Sequence, residues 1–264
     1  MIGGPRNRWL QAAFNIVLVG ILLFGLSFLP PDNSLAEVRE AGVLKLCVPE
    51  NFPPLAQNDP GRPGFDVELV RKAAEEIGIR VTVNVMASMG KDFNPRNWRL
   101  TRGQCNIIAG GVADTTQTRN FLQTIPTDVE TGWVGISHDG AQPVQGSTWA
   151  VWPGTSGLDR LSLSSWLRER GVRPRLIRSP DELQAILDDG TVAGAIVERF
   201  AATSVDTSRG YKIFWLAPER FERFRMALGL WKGDQTLYRA VQSAIQKIKE
   251  SDKVGFLRIM YGLN

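Results

Sequence analysis

The chain has 264 residues, a formal charge of +4 at pH 7, 43% hydrophobic residues and 22% charged residues. That balance is ordinary for a globular protein with room for one large domain or two small ones. Its basic residues are scattered rather than striped, which gives a nucleic-acid partner no support, and none is expected. A single histidine, His138, and only two cysteines exclude a histidine-rich or all-cysteine metal centre and speak against a Ser–His–Asp triad. No metal, cofactor or catalytic residue is called for.

The first 36 residues stand apart. Arg6 and Arg8 precede the apolar run FNIVLVGILLFGLSFL, and PPDNSLA follows. This is the order of a secretory signal peptide, with Ser34 and Ala36 as the small residues before a cut between Ala36 and Glu37. The alternative is an uncleaved membrane anchor, for which the run falls short of the ~20 residues a spanning helix prefers. The expected location is the periplasm.

Beyond the leader, EVREAG predicts a short helical lead-in ending at Gly42. VLKLCV predicts a buried strand, and PENFPPLAQNDPGRPG a loop. FDVELVRKAAEEIG predicts an amphipathic helix, with Val67, Val70, Ala74 and Ile77 on one face and Gly78 as its stop. IRVTVNVM alternates as a half-buried strand. NWRLTRG predicts a short helix and CNIIAGG a buried strand. Strands and helices thus alternate as in an open parallel sheet.

A second series follows. GWVGIS is extended, and STWAVWPGTSGLDRLSLSSWLRERG reads as strand, turn and helix. VRPRLIR is a strand, and SPDELQAILDDG is a helix capped by Ser179 and stopped at Gly190. VAGAIVE, KIFWLA and RMALGLW are strands. QTLYRAVQSAIQKIKES is a long helix through Leu237, Val241, Ala244, Ile245 and Ile248, and a last short helix follows. The alternation predicts two α/β lobes. In such sheets ligands bind outside the carboxyl ends of strands.

Six blocks, in order, carry a resemblance: AGVLKLCVPENFPPLA, GFDVELVRKAAEEIGIRVTVNV, LTRGQCNIIAGG with TTQTR, WAVWPGTSG, DDGTVAGAIVERFAA, and the stretch from MALGLWKGD to IMYG. Together they resemble the family 3 solute-binding proteins of amino-acid ABC transporters over about residues 37–264. The resemblance implies a two-lobed, periplasmic-binding-protein-like α/β fold of type II. Each lobe would be an open, mostly parallel sheet flanked by helices, joined to the other by two hinge strands. Lobe 1 would span 37–130 plus 225–264, and lobe 2 would span 131–224. The implied function is capture of a small polar solute, an amino acid or related carboxylate, by a monomer that delivers it to an inner-membrane ABC permease.

Residue by residue, the resemblance implies that Arg119 grips the ligand's carboxylate, a role suited to a guanidinium fork. Phe52 would cover the ligand from lobe 1. Thr155 and Ser156 would cap the carboxylate from lobe 2, and Glu198 would pair with an ammonium group. Asp114 and Thr116 complete the ligand set beside Arg119. Alternatives stand next to each. Phe52 could pack on the proline-rich loop, Glu198 could end a strand beside Arg199, and Asp114 could neutralise Arg119. Asp114 stands where amino-acid binders usually carry Ser or Thr, and the insertion ASMGKDFNPRN is also a departure. Cys47 and Cys105 fall in the first and third strands. They are similar in position to cysteines of a subgroup associated with periplasmic quinoprotein methanol dehydrogenase, which implies a disulfide; two buried thiols are the alternative. A cyclohexadienyl-dehydratase-like enzyme, with Glu198 or Asp114 as acid or base, and an accessory partner of a periplasmic dehydrogenase are the competing functions.

Overall fold

The computed structural model describes residues 5–26, 31–89, 93–153 and 157–263. Two units are distinct: residues 1–33, and the compact unit that begins at Ser34. In the first, helix α1 (Pro5–Leu26) carries the apolar run as far as Leu26. Among the described residues, no helix is long and apolar enough to cross a membrane.

The second unit opens with α2 (Ser34–Ala41). This helix starts three residues before the expected lead-in, inside the stretch that the sequence assigns to the leader. Strand β1 (Val43–Val48), α3 (Phe65–Ile77) and β2 (Arg80–Val85) follow as expected. Gly78 ends α3 in the left-handed conformation. Gly64, just before α3, is required by space as well as by its φ of 110°, since a Cβ there would lie 2.4 Å from the Leu55 carbonyl oxygen.

Two elements depart from the sequence reading. NWRLTRG does not form a helix; a 3-10 turn at Pro95–Trp98 ends at Arg99, whose φ is positive. CNIIAGG shrinks to β3 (Ile107–Ile108), because Gly110 and Gly111 adopt positive φ and turn the chain away. After the single turn α4 (Thr116–Arg119), strand β4 (Leu122–Thr131) runs for ten residues that the sequence did not suggest. Pro126 lies within it, which argues against a central strand but is compatible with the edge position β4 holds.

The second series is β5 (Trp133–His138), β6 (Thr148–Val151), α5 (Arg160–Glu169), β7 (Arg173–Leu176), α6 (Leu183–Asp188), β8 (Gly194–Glu198) and β9 (Tyr211–Trp215). Ser179 accepts the N–H of Asp181, and the segment begins as a 3-10 turn before α6. The chain returns through β10 (Phe224–Trp231), α7 (Gln235–Glu250) and α8 (Lys253–Met260).

Two five-stranded sheets result, ordered β2-β1-β3-β10-β4 and β7-β6-β8-β5-β9. Both are mixed rather than mostly parallel. In the first, β1 is parallel to β2 and β3, whereas β10 is antiparallel to β3 and β4. In the second, β6 is parallel to β7 and β8, whereas β5 is antiparallel to β8 and β9. Only Gly132 separates β4 from β5, so the chain passes straight from one sheet to the other. It returns by β10, which pairs with β4 along most of its length.

Alternation along β1 sends Leu44, Leu46 and Val48 to one face, against α3 and α7. Cys47 faces the other way, into a smaller cluster with Met89, Trp98, Cys105 and Ile108. There Cys47 and Cys105 form a disulfide, with Cα atoms 5.5 Å apart. The five apolar residues expected on α7 are all buried. At its start, Ser34 Oγ accepts the N–H of Leu237 at 3.3 Å and lies 3.0 Å from Thr236 Oγ1. A residue two hundred positions away thus supplies the N-terminal cap of α7.

Candidate ligand site

Glu198 ends β8, where the strand gives way to the helical turn at Ala201–Ser204. Its side chain is buried, and Thr131 Oγ1 at the end of β4 donates a hydrogen bond to its Oε1. Burial pushes the carboxyl up to about 7, more than the Thr131 hydroxyl, the Phe200 N–H and the nearby Arg199 can offset. A carboxyl poised in this way exchanges its proton readily for a cation.

Glu198 lines a cavity of about 540 Å³ together with Phe52, Trp152, Phe200, Arg62 and Tyr261. That volume lies in the ordinary range for small-molecule pockets. Phe52 from the β1–α3 loop meets Phe200 from the β8 side edge-on, with ring centroids 6.0 Å apart. The Phe52 N–H bonds the Ala56 carbonyl at 2.8 Å, which fixes the loop beneath the ring. Tyr261, just past α8, closes another wall, and its hydroxyl accepts the Gly64 N–H at 3.2 Å.

The remaining residues expected at the site gather elsewhere. Asp114, Thr116 and Arg119 line a second cavity, of about 690 Å³, with Phe93, Gly157 and the segment Glu222–Arg225. Arg119 Nε and Nη2 donate to Asp114 Oδ1 and Oδ2, both at 2.7 Å, and Thr124 Oγ1 adds a bond to Oδ1 at 2.6 Å. These partners, the Arg119 hydrogen bonds foremost, hold the Asp114 carboxyl below its ordinary value. The neutralising alternative for Asp114 is therefore the one this geometry realises. Thr155 and Ser156 lie outside the described residues.

The insertion contributes Phe93, which packs 5.9 Å from the Phe224 ring. It also sits against Gly157, where a Cβ would come within 2.9 Å of the Phe93 ring and backbone nitrogen. A loop of the first sheet thus touches the turn that follows β6. Asp66, at the start of α3, anchors the segment entering this region: its Oδ2 accepts the Gly110 N–H at 2.8 Å. Asp66 is fully buried, and burial pushes its carboxyl up to about 7.

Sequence reasoning missed Arg62, Trp152, Phe200 and Tyr261. Trp152 and Phe200 each follow the carboxyl end of a strand, which is a usable signal. Arg62 and Tyr261 carry no local signal, because they meet only when the fold brings the β1–α3 loop to the end of α8.

The profile of the bacterial extracellular solute-binding proteins, family 3, matches residues 44–261. Solved structures show the same two-sheet fold. A polar amino acid ABC uptake transporter substrate binding protein from Streptococcus thermophilus is 16% identical, with a TM-score of 0.69 over 86% of this chain and 88% of that one. An ancestral cationic amino acid solute binding protein is 16% identical, with a TM-score of 0.67 over 86% and 99%. An ABC uptake transporter substrate binding protein from Streptococcus pneumoniae with bound histidine is 17% identical, with a TM-score of 0.59 over 87% and 96%. Among curated proteins, a membrane-bound lytic murein transglycosylase F of Vibrio vulnificus is 26% identical over 111 residues, 42% of this chain. The match spans only a fifth of that relative's length.

Proposed function

The chain belongs to the bacterial extracellular solute-binding proteins of family 3, and from that premise we propose that it captures a small polar solute in the Phe52–Glu198 cavity. The ligand is an amino acid or a related amine-bearing carboxylate, and the protein hands it to an inner-membrane ABC permease. It works outside the cytoplasm, most simply in the periplasm, as a non-catalytic monomer. The observation that carries this reading is the cavity of about 540 Å³ that joins an aromatic wall to a buried, only partly compensated carboxyl at Glu198. An ammonium group placed beside that carboxyl would ionise it and satisfy it in one step. The histidine named as bound in one structural relative, and the amino-acid classes named for two others, support the same class of ligand.

The test is a thermal-shift screen of amino acids, amines and small carboxylates. A true ligand at a hundredfold its dissociation constant stabilises the protein by about 2.7 kcal/mol, on the order of 5–10 °C for a chain of this size. Glu198→Gln should lose most of that shift. A screen in which no small solute stabilises the protein would overturn the proposal.

A dehydratase-like enzyme is the second reading, favoured by the buried Glu198 carboxyl near neutrality on the cavity wall, where it could act as a general acid. Loss of prephenate or arogenate in the presence of the purified protein, absent in Glu198→Gln, would select it.

A further inference from the structure

Arg119, the arginine expected to hold a carboxylate, is matched on both prongs by Asp114 and lines a different cavity from Glu198. The Glu198 cavity has its own cation. Arg62 is the only lysine or arginine among the described residues lining it. The guanidinium lies 5.4 Å from the Tyr261 ring centroid, and Nη2 donates to the Met260 carbonyl at 3.0 Å. These two contacts hold the group in place from the end of α8. They leave Nε and Nη1 without a hydrogen-bond partner, and no carboxylate lies within ion-pair distance of Arg62 among the described residues. A fixed guanidinium with two open donors, in a cavity that also holds an acid, is prepared for an anion.

We propose that Arg62 has taken over the role of anion receptor in this chain. The ligand then carries an anionic group, a carboxylate in the simplest case, toward Arg62 and an ammonium group toward Glu198. This deepens the solute-binding reading and rests on it. Two opposite charges on one cavity select a zwitterion over either a simple amine or a simple acid. Asp181, also on this cavity, is engaged by Ser179 Oγ at 2.9 Å. The dipole expected of the ligand is therefore set by Arg62 at one pole and Glu198 at the other.

Four matched pairs test this on the unmodified protein: arginine with agmatine, lysine with cadaverine, histidine with histamine, and phenylalanine with phenethylamine. Each amine lacks only the carboxylate. In at least one pair the amino acid should stabilise the protein and the amine should not. Arg62→Gln should weaken that amino acid roughly 10- to 100-fold, with partial rescue by Arg62→Lys. Thermal stability without ligand controls for loss of the Tyr261 and Met260 contacts. If an amine binds as tightly as its amino acid and Arg62→Gln changes nothing, the role of Arg62 is refuted while the cavity keeps its function. If neither these eight compounds nor any solute of the wider screen shifts the melting temperature, the inference and the solute-binding reading both fall.

Discussion

Asp114 and Arg119 form a two-pronged ion pair five residues apart, with Nε to Oδ1 and Nη2 to Oδ2 both at 2.7 Å. The arginine is 60% exposed and the aspartate 5%. Asp114 is thus the fixed member, held also by Thr124, and Arg119 bends onto it. Removing the aspartate should release an exposed guanidinium at the rim of the second cavity. We expect Asp114→Ser to gain stabilisation by acetate that the wild-type protein lacks, and Asp114→Ser with Arg119→Ala to lose it again. Equal acetate responses in all three proteins would show that the pair does not control anion access.

Acid should stabilise this protein across an unusual window. Glu198 and Asp66 have folded-state values of about 7, above their ordinary values of 4.5 and 3.8. Between those limits the folded chain keeps protons that the unfolded chain has released, so stability falls as pH rises from about 4 to 7. Each group contributes on the order of 3 kcal/mol over that span. Asp66→Asn should flatten part of the slope and raise the melting temperature at pH 7. A wild-type melting temperature that rises from pH 5 to pH 7 would contradict this.

The same logic applies to ligand capture. If an amine docks beside Glu198, the carboxyl loses its proton on binding, so affinity should increase as pH rises toward 7 and level off above it. Calorimetry in buffers of different ionisation enthalpy reads the released proton directly. A pH-independent affinity between 5 and 7 would place the amine elsewhere.

If the N-terminal stretch is removed as a leader, the position of the cut matters to the fold. Cleavage after Ala36, the position suggested by Ser34 and Ala36, would remove the Ser34 cap on α7 and the first turn of α2. A lost cap costs about 0.5–2 kcal/mol. A protein beginning at Glu37 should therefore melt several degrees below one beginning at Asp32. Equal melting temperatures would show that Ser34 is dispensable. Intact mass of protein recovered from the periplasmic fraction would show whether a cut is made and where.

The disulfide closes a loop of 58 residues between Cys47 and Cys105. Chain-entropy reasoning gives it about 4 kcal/mol, or roughly 10 °C in melting temperature for a domain of this size. Replacing both cysteines with alanine should show that loss, and alkylation of native protein should find no free thiol. Two labelled cysteines in protein from an oxidising compartment would refute the bridge.

The parts of the fold that were legible had strong periodicity. The face of α7 was read to the residue, because five apolar positions at helical spacing leave one solution. Strand β4 was not read, since Pro126 breaks the expected pattern and only its edge position makes the proline harmless. CNIIAGG looked longer than β3 because apolar composition marks burial, whereas Gly110 and Gly111 decide where pairing stops. At the candidate site, the resemblance named Glu198 and Phe52, and both line one cavity. The same resemblance named Arg119 but could not show whether the unusual Asp114 would reach it. Arg62 was invisible for a different reason: its value depends on Met260 and Tyr261, nearly two hundred residues away.

The order of strands in the first sheet has a consequence for how the chain is made. β10 lies between β3 and β4, yet it is synthesised after all five strands of the second sheet. Until it arrives, the two residues of β3 have only β1 beside them, and β4 has no partner at all. Contacts of such long sequence separation form late and slowly. During synthesis, at about 5–20 residues per second, the chain carries an unpaired ten-residue strand for several seconds. A newly made chain therefore cannot close its first sheet until its last strand has been made.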